Sequence, residues 1–460
     1  MLLNVSINLA KVFVHIIISV MKSSTSPIPF ILLTVFALIG IFIPLVADFD
    51  GSKVYNTGDS AWMLVSTALV LLMTPGLSFF YGGMVGKKNV ISTMFQSFIA
   101  TGLISVLWVV VGFGLAFGPS IGGIIGNPSS LFMMKGINGM QPWSLAPTIP
   151  LLLFALFQMK FAIITPALVV GATAERIRFT AYALFMLLFS LLIYAPLAHW
   201  TWHPDGILFK MGVLDFAGGT VVHISAGCSA LAGAILLKRR KVHIEKEEVK
   251  PARVTYVLLG TGLLWFGWFG FNAGSAGGAS SLSVDAFANT NTASAAAGLA
   301  WIFFDMVRGR KPSALGFSIG AVVGLVAITP AAGFVGLPQS IFIGLCGAVF
   351  SNIAVHWKNS KTSIDDTLDV FPCHGLGGIT GMILTGVFAS KKINPAGNDG
   401  LIYGGTSFFL HQLLGCLIVV VFATVMGFIV FKIVDVIIPL RVSELEEVKG
   451  LDITQHAESL

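Results

Sequence analysis

Apolar residues in this chain do not alternate with polar ones at period two, and they do not keep to one helical face. They run for about 20 residues at a time on every side of the helix such a run would form, which is the length that crosses a hydrocarbon layer of about 30 Å. Strands of a membrane barrel would instead alternate apolar and polar over about ten residues. Eleven such runs follow residue 50, at 60–83, 90–117, 147–172, 179–198, 215–237, 254–276, 286–306, 314–333, 338–356, 369–389 and 406–436. We number them spans 1 to 11. The pattern predicts an all-α integral membrane protein with eleven transmembrane helices.

Ahead of them, residues 1–20 are interrupted by Asn4, Asn8, Lys11 and His15, whereas Ile28 to Ala47 is cleanly apolar behind Met21-Lys22-Ser-Ser-Thr-Ser. A short basic start, an apolar middle and a small residue near the end read as a signal peptide that starts at Met21, the alternative being an additional span over 28–47. The expected organisation is a signal peptide or extra N-terminal segment at 1–47, a membrane domain at 48–440 and a C-terminal tail at 441–460.

Composition narrows the class. Of 460 residues, 55% are hydrophobic and 10% charged, against about 25% charged in an ordinary soluble domain. A soluble enzyme of this size is excluded, because its surface could not be covered. The 51 glycines suit helices whose backbones approach closely in lipid. Cys228, Cys346, Cys373 and Cys416 lie in apolar stretches without a C-x-x-C pair, so they read as small buried hydrophobes rather than as a disulfide framework or zinc site. No phosphate-binding glycine loop or dinucleotide fingerprint is present, which disfavours an ATP-driven pump. The net charge of +6 is not a nucleic-acid footprint. Lys and Arg sit in alternate loops, eighteen on one side (including Lys238 to Arg253) and five on the other. The basic side is therefore expected to be cytoplasmic, with the tail inside and the start of span 1 outside.

Two short signatures recur. Ile164-Thr165-Pro166-Ala167 in span 3 returns as Ile328-Thr329-Pro330-Ala331 in span 8, and Leu214-Asp215 with His223 returns as Leu368-Asp369 with His374. Both pairs lie five spans apart, and an odd offset inverts the second copy in the membrane. The reading is two inverted five-helix repeats plus a long eleventh helix, with the transport site between the halves.

Polar residues inside such spans face the bundle interior or a cavity. Asp215 and Asp369 are expected at the first turns of spans 5 and 10 as helix N-caps. His223 lies nine residues into span 5 and His374 six into span 10, so the repeat brings two imidazoles together near the axis, where they can share one proton. Phe157 and Phe161 share a face of span 3, Trp268 and Phe271 a face of span 6 with Ser275 one turn on, and Trp202 lies just outside span 4. Such aromatics suit either a core or interface belt or a cation–π vestibule above an apolar gate. Lys160, inside span 3, has no assigned role.

Phe80-Tyr-Gly-Gly (80–83), GATAERIRF (171–179), LDFAGGTVVHISAG (214–227), GWFGFNAGSAG (267–277) and LDVFPCHGLGGITG (368–381) carry a resemblance to the Amt class of ammonium transporters, over about residues 58–455. The resemblance implies a homotrimer in the lipid bilayer, with one conduction path through each subunit and no cofactor, metal or enzymatic activity. It implies that Trp202, Phe161 and Ser275 form an outer ammonium recruitment site to which Phe157 adds. Phe161 and Phe271 would stack as a gate, with Trp268, His223 and His374 lining the pore below. Asp215 would stay ionised near the outer site and hold structure. Ammonium would lose a proton near the outer site and cross as ammonia, with net proton or charge movement. A PII-type signalling protein would dock at the cytoplasmic face, with the basic loop 238–253 contributing. The tail (450–460) looks like the family's, with His456-Ala457-Glu458 where His-Gly-Glu is usual. The nearest rival reading is a Rhesus-type channel for neutral ammonia or carbon dioxide, against which the aromatic outer site speaks. An ammonium sensor would usually carry an extra signalling domain. A membrane enzyme would need a nucleophile–base pair, and the adjacent Cys373 and His374 point about 100° apart on a helix.

Overall fold

A computed structural model describes residues 27–43, 55–247 and 250–460. Its helices follow the apolar runs. Spans 1 to 6 are Thr57–Met84, Lys87–Phe117, Leu151–Thr173, Phe179–Lys210, Gly219–Leu237 and Val254–Ala276. Spans 7 and 8 are Ser281–Val307 and Ala314–Ile328, and spans 9 to 11 are Leu337–Lys361, Phe371–Phe388 and Thr406–Ile437. A further apolar helix, Ile28–Phe42, precedes them and is 15 residues long, about 22 Å, the same length as span 8. The proposed start at Met21 and the segment from Asp48 lie outside the described residues.

Three boundaries differ from the sequence reading, and each difference matters for the site. The membrane helix of span 4 runs through Trp202, so that residue closes it rather than following it, and the range to Lys210 is completed by a separate turn, Ile207–Lys210. Span 5 begins at Gly219 and not at Asp215. Span 10 begins at Phe371 and not at Asp369. Both of these helices open with a π-helical turn, of a kind often found at functional sites.

Spans 5 and 10 cross at the centre. A Cβ on Gly227 would lie 2.2 Å from the Gly375 backbone nitrogen, so the crossing requires glycine. Spans 1 and 6, and the trio of spans 7, 8 and 9, pack around that crossing, while span 11 lies along span 5.

The two faces of the bundle differ. On one, a short hairpin of β1 (Ser120–Ile121) and β2 (Ile125–Gly126) folds over the end of span 4, where the Trp200 indole donates to the Ile124 carbonyl at 2.8 Å. The other face carries the basic loops and the tail. There Arg240 pairs with Glu175 at 2.6 Å and Asp365 at 2.8 Å, so it points into the protein rather than toward a docking partner. Burial alone would raise the Asp365 carboxyl, but the Arg240 bonds and the Arg176 charge hold it well below the ordinary carboxylate range. The tail folds back as two short helices, Glu444–Lys449 and Leu451–His456. It is latched by Asp452 accepting from the Ser92 N–H at 2.8 Å and by the Leu451 N–H donating to Asn89 at 2.8 Å.

Candidate functional site

At the hairpin face, Trp202 and three Phe rings converge. Trp202 is half-buried and its indole N–H donates to the Asp215 carbonyl at 3.1 Å. Phe161 meets the Trp202 ring edge-on at 5.9 Å, Phe157 at 4.9 Å, and stacks on Phe271 at 4.2 Å and 27°. Phe157, Phe161 and Phe271 are buried. Ser275 lies one turn beyond Phe271, donates its hydroxyl to the Phe271 carbonyl at 2.8 Å and is partly exposed. Spacing on spans 3 and 6 set up the pairs, but only the packing of both spans against span 1 brings Phe161 onto Phe271.

Below that stack lies a narrow cavity of about 10 Å³, lined by apolar side chains such as Ile164, Leu168 and Val322 together with Trp268, His223 and His374. It holds about one water-sized molecule. The two imidazoles touch through their Nδ1 atoms at 3.3 Å. One nitrogen in that contact must donate and the other accept, so the pair holds one proton between its rings. Nε2 of His223 is buried and, among the described residues, has no hydrogen-bond partner. Trp268 stacks on the His223 ring at 5.3 Å and 16°, and its N–H donates to the Thr329 hydroxyl at 3.0 Å. Thr329 therefore sets the indole that sets the imidazole. The sequence reading noted its motif only as a repeat and missed this role.

The carboxylates behave differently from expectation. Asp215 stays outside span 5 and reaches forward, accepting from the N–H groups of Gly218 (2.8 Å), Gly219 (2.7 Å) and Thr220 (2.7 Å) and from the Thr220 hydroxyl. Asp369 does not cap span 10. Asp366 does, accepting from Val370 at 2.9 Å and Phe371 at 2.8 Å. Asp366 lies eight residues before His374, as Asp215 lies eight before His223, so the apparent difference in histidine depth disappears. Asp369 instead takes a left-handed backbone (φ 57°) at the place of Gly218 (φ 119°), and pairs with Lys358 at 2.7 Å.

Two further residues escaped the sequence reading. His199, fully buried, bonds the Ala116 carbonyl at 2.9 Å and the Ser120 hydroxyl at 2.8 Å, fixing the turn that presents Trp202 to span 2 and the hairpin. Lys358 is treated below. Lys160 sits half-buried with its ammonium 3.6 Å from the Met159 sulfur, and among the described residues no carboxylate pairs with it. Cys228, Cys373 and Cys416 are buried free thiols, and Cys346 is partly buried.

Residues 61–460 match the family model described as the Ammonium Transporter Family. The chain is 46% identical over 406 residues to a putative ammonium transporter of Methanothermobacter thermautotrophicus, covering 88% of this chain and 98% of that protein. It is 46% identical over 404 residues to an ammonium transporter of Bacillus subtilis, covering 87% and 98%. Among solved structures, Mep2 of Saccharomyces cerevisiae aligns with a TM-score of 0.80 at 34% identity, over 86% of this chain and 89% of that one.

Proposed function

This chain belongs to the ammonium transporter family, and from that premise we propose that it recruits ammonium at the Trp202 mouth, removes a proton there and conducts ammonia through the Phe gate and past the histidine pair. Trp202 and Phe161 offer ring faces and edges to a small cation, and Ser275 offers a hydroxyl acceptor. The cavity behind the Phe stack cannot receive that cation. Moving an ion of this size from water to a medium of low dielectric constant costs of order 20 kcal/mol in the idealised limit, whereas neutral ammonia loses only hydrogen bonds. The gate therefore separates the proton from the nitrogen.

The observation that carries the reading is the Nδ1–Nδ1 contact of His223 and His374 at 3.3 Å below that gate. The pair holds one proton, and adding a second is opposed by like charge and burial. It can thus pass a proton separately from the ammonia molecule, with net charge crossing the membrane. The excess of Lys and Arg in alternate loops supports a cell-membrane protein with the basic face and the tail toward the cytoplasm and Trp202 outside. The transporter works as a homotrimer with a pore in each subunit, and a PII-type signalling protein docks on the basic face around the loop 238–253 and the latched tail. Residues 1–47 act as a leader or an additional membrane segment.

The test is the current across a protein-loaded solid-supported membrane after an ammonium jump at fixed pH, with potassium as control. A saturable inward current for ammonium alone is expected. Ammonia flux without current would move the reading to a neutral-gas channel and remove Trp202 and Ser275 from cation recruitment.

A further inference from the structure

The two mouths of the pore are tied to their helices in the same way by different side chains. At the hairpin face, Trp202 near the end of span 4 donates its indole N–H to the backbone carbonyl of Asp215 at 3.1 Å. At the basic face, Lys358 in the last turns of span 9 donates its ammonium to the backbone carbonyl of Asp366 at 2.6 Å. Asp215 and Asp366 are equivalent, each eight residues before a pore histidine and each capping the π-turn that follows. Lys358 thus stands in the second half where Trp202 stands in the first.

The substitution reverses the local chemistry. An indole beside a vestibule attracts a cation. A lysine ammonium is itself a cation, chemically a substituted ammonium ion, and here it is held at 2.7 Å by the Asp369 carboxylate. Asp369 occupies the left-handed position that Gly218 fills at the other mouth. The side chain of Lys358 is 9% exposed and that of Asp369 21%, so the pair is largely buried at the start of span 10 rather than spread on the surface.

We propose that Lys358 is a tethered cation that occupies the basic-face counterpart of the recruitment site and denies it to free ammonium. Recruitment then takes place at the Trp202 mouth, and the apparent affinity for ammonium differs between the two faces. Net flux at equal electrochemical potential remains zero, as it must for any passive path. The inference rests on the ammonium-transport reading above.

The experiment uses full-length protein in liposomes sorted by which face points outward, with ammonium jumps applied to each face and potassium as control. For the wild type, half-saturation at the basic face is expected at a concentration about tenfold higher than at the Trp202 face. Lys358→Gln frees the Asp369 carboxylate and is expected to lower the basic-face value at least about threefold, with the Trp202-face value unchanged. Adding Asp369→Asn removes that gain. Equal half-saturation at the two wild-type faces overturns the proposal, and this measurement needs no variant to fold. An assembled Lys358→Gln protein whose basic-face value does not move overturns it as well. Absence of ammonium-specific current from either face of the wild type would instead defeat the transport reading itself.

Discussion

At the start of span 5, Asp215 accepts four hydrogen bonds, three from backbone N–H groups and one from the Thr220 hydroxyl. At the start of span 10, Asp366 accepts two, both from backbone. The third residue on from each carboxylate is left-handed, glycine in one case and Asp369 in the other. Each histidine then sits eight residues past its cap. The inverted repeat has kept the device that begins a helix inside the membrane and aims an imidazole at the axis. It has not kept what surrounds that device. One copy presents Gly218 beneath Trp202, with a glycine Cβ position 3.5 Å from the indole, and the other presents a carboxylate locked to a lysine. Backbone geometry is the shared part because both helices must satisfy free N–H groups without water. Side chains at the mouths face different solutions and were free to diverge.

The largest effect should come from the residues the repeat makes most alike. His223→Ala and His374→Ala are each expected to cut the ammonium-specific current by at least about tenfold while the oligomer stays intact, because a shared proton needs both rings. Full, ammonium-selective current in either variant would show that the halves are not equivalent at the axis. Next come the caps. Asp215→Ala should cost about 3 kcal/mol and Asp366→Ala about 2 kcal/mol in denaturant unfolding of the detergent-solubilised protein, following the number of hydrogen bonds lost. A reversed order would mean that the span 10 cap bears more of the fold than its two bonds suggest.

The repeated Thr-Pro motif gives a third comparison. Thr329→Val leaves the buried Trp268 N–H without its acceptor and should cost about 1–3 kcal/mol with a severalfold lower current. Thr165, whose hydroxyl bonds only the Phe161 carbonyl of its own helix, should lose less than about 1 kcal/mol as Val and keep its current. Comparable losses of current in both variants would remove Thr329 from the positioning of His223. The smallest effect is expected at Lys160, where replacement by Met should shift stability by less than about 1 kcal/mol and leave transport intact, since no ion pair is lost.

Much of this was legible in the chain. The eleven spans were, because lipid demands long apolar helices whatever else the protein does. The pairing of Phe157 with Phe161 and of Trp268 with Phe271 was, because helical spacing puts them on common faces. The cap of span 10 was misread for a specific reason. Leu368-Asp369 repeats Leu214-Asp215 letter for letter, while the true counterpart, Asp366, lies in a run with Asp365 and Asp369 where several carboxylates compete. The eight-residue spacing to each histidine was the signal that could have separated them. Lys358 was counted as one more basic loop charge, since nothing local distinguishes a buried lysine at a helix end from a solvated one. The charges of the 238–253 loop were likewise read as available for docking, although Arg240 is spent on Glu175 and Asp365.

Length and hydropathy by themselves determined a membrane bundle of eleven helices, because lipid makes exposed backbone costly, and two recurring motifs five spans apart pointed to its inverted halves and to His223 and His374. The tertiary structure alone decided which aspartate caps, that Phe161 closes over Phe271 across two spans, that Thr329 steers Trp268 onto His223, and that a lysine stands opposite a tryptophan at the two mouths. Most of these depend on residues far apart in the chain or on one backbone angle, and hydrogen-bond direction and close packing are set by the approach of whole helices rather than by any local run of residues.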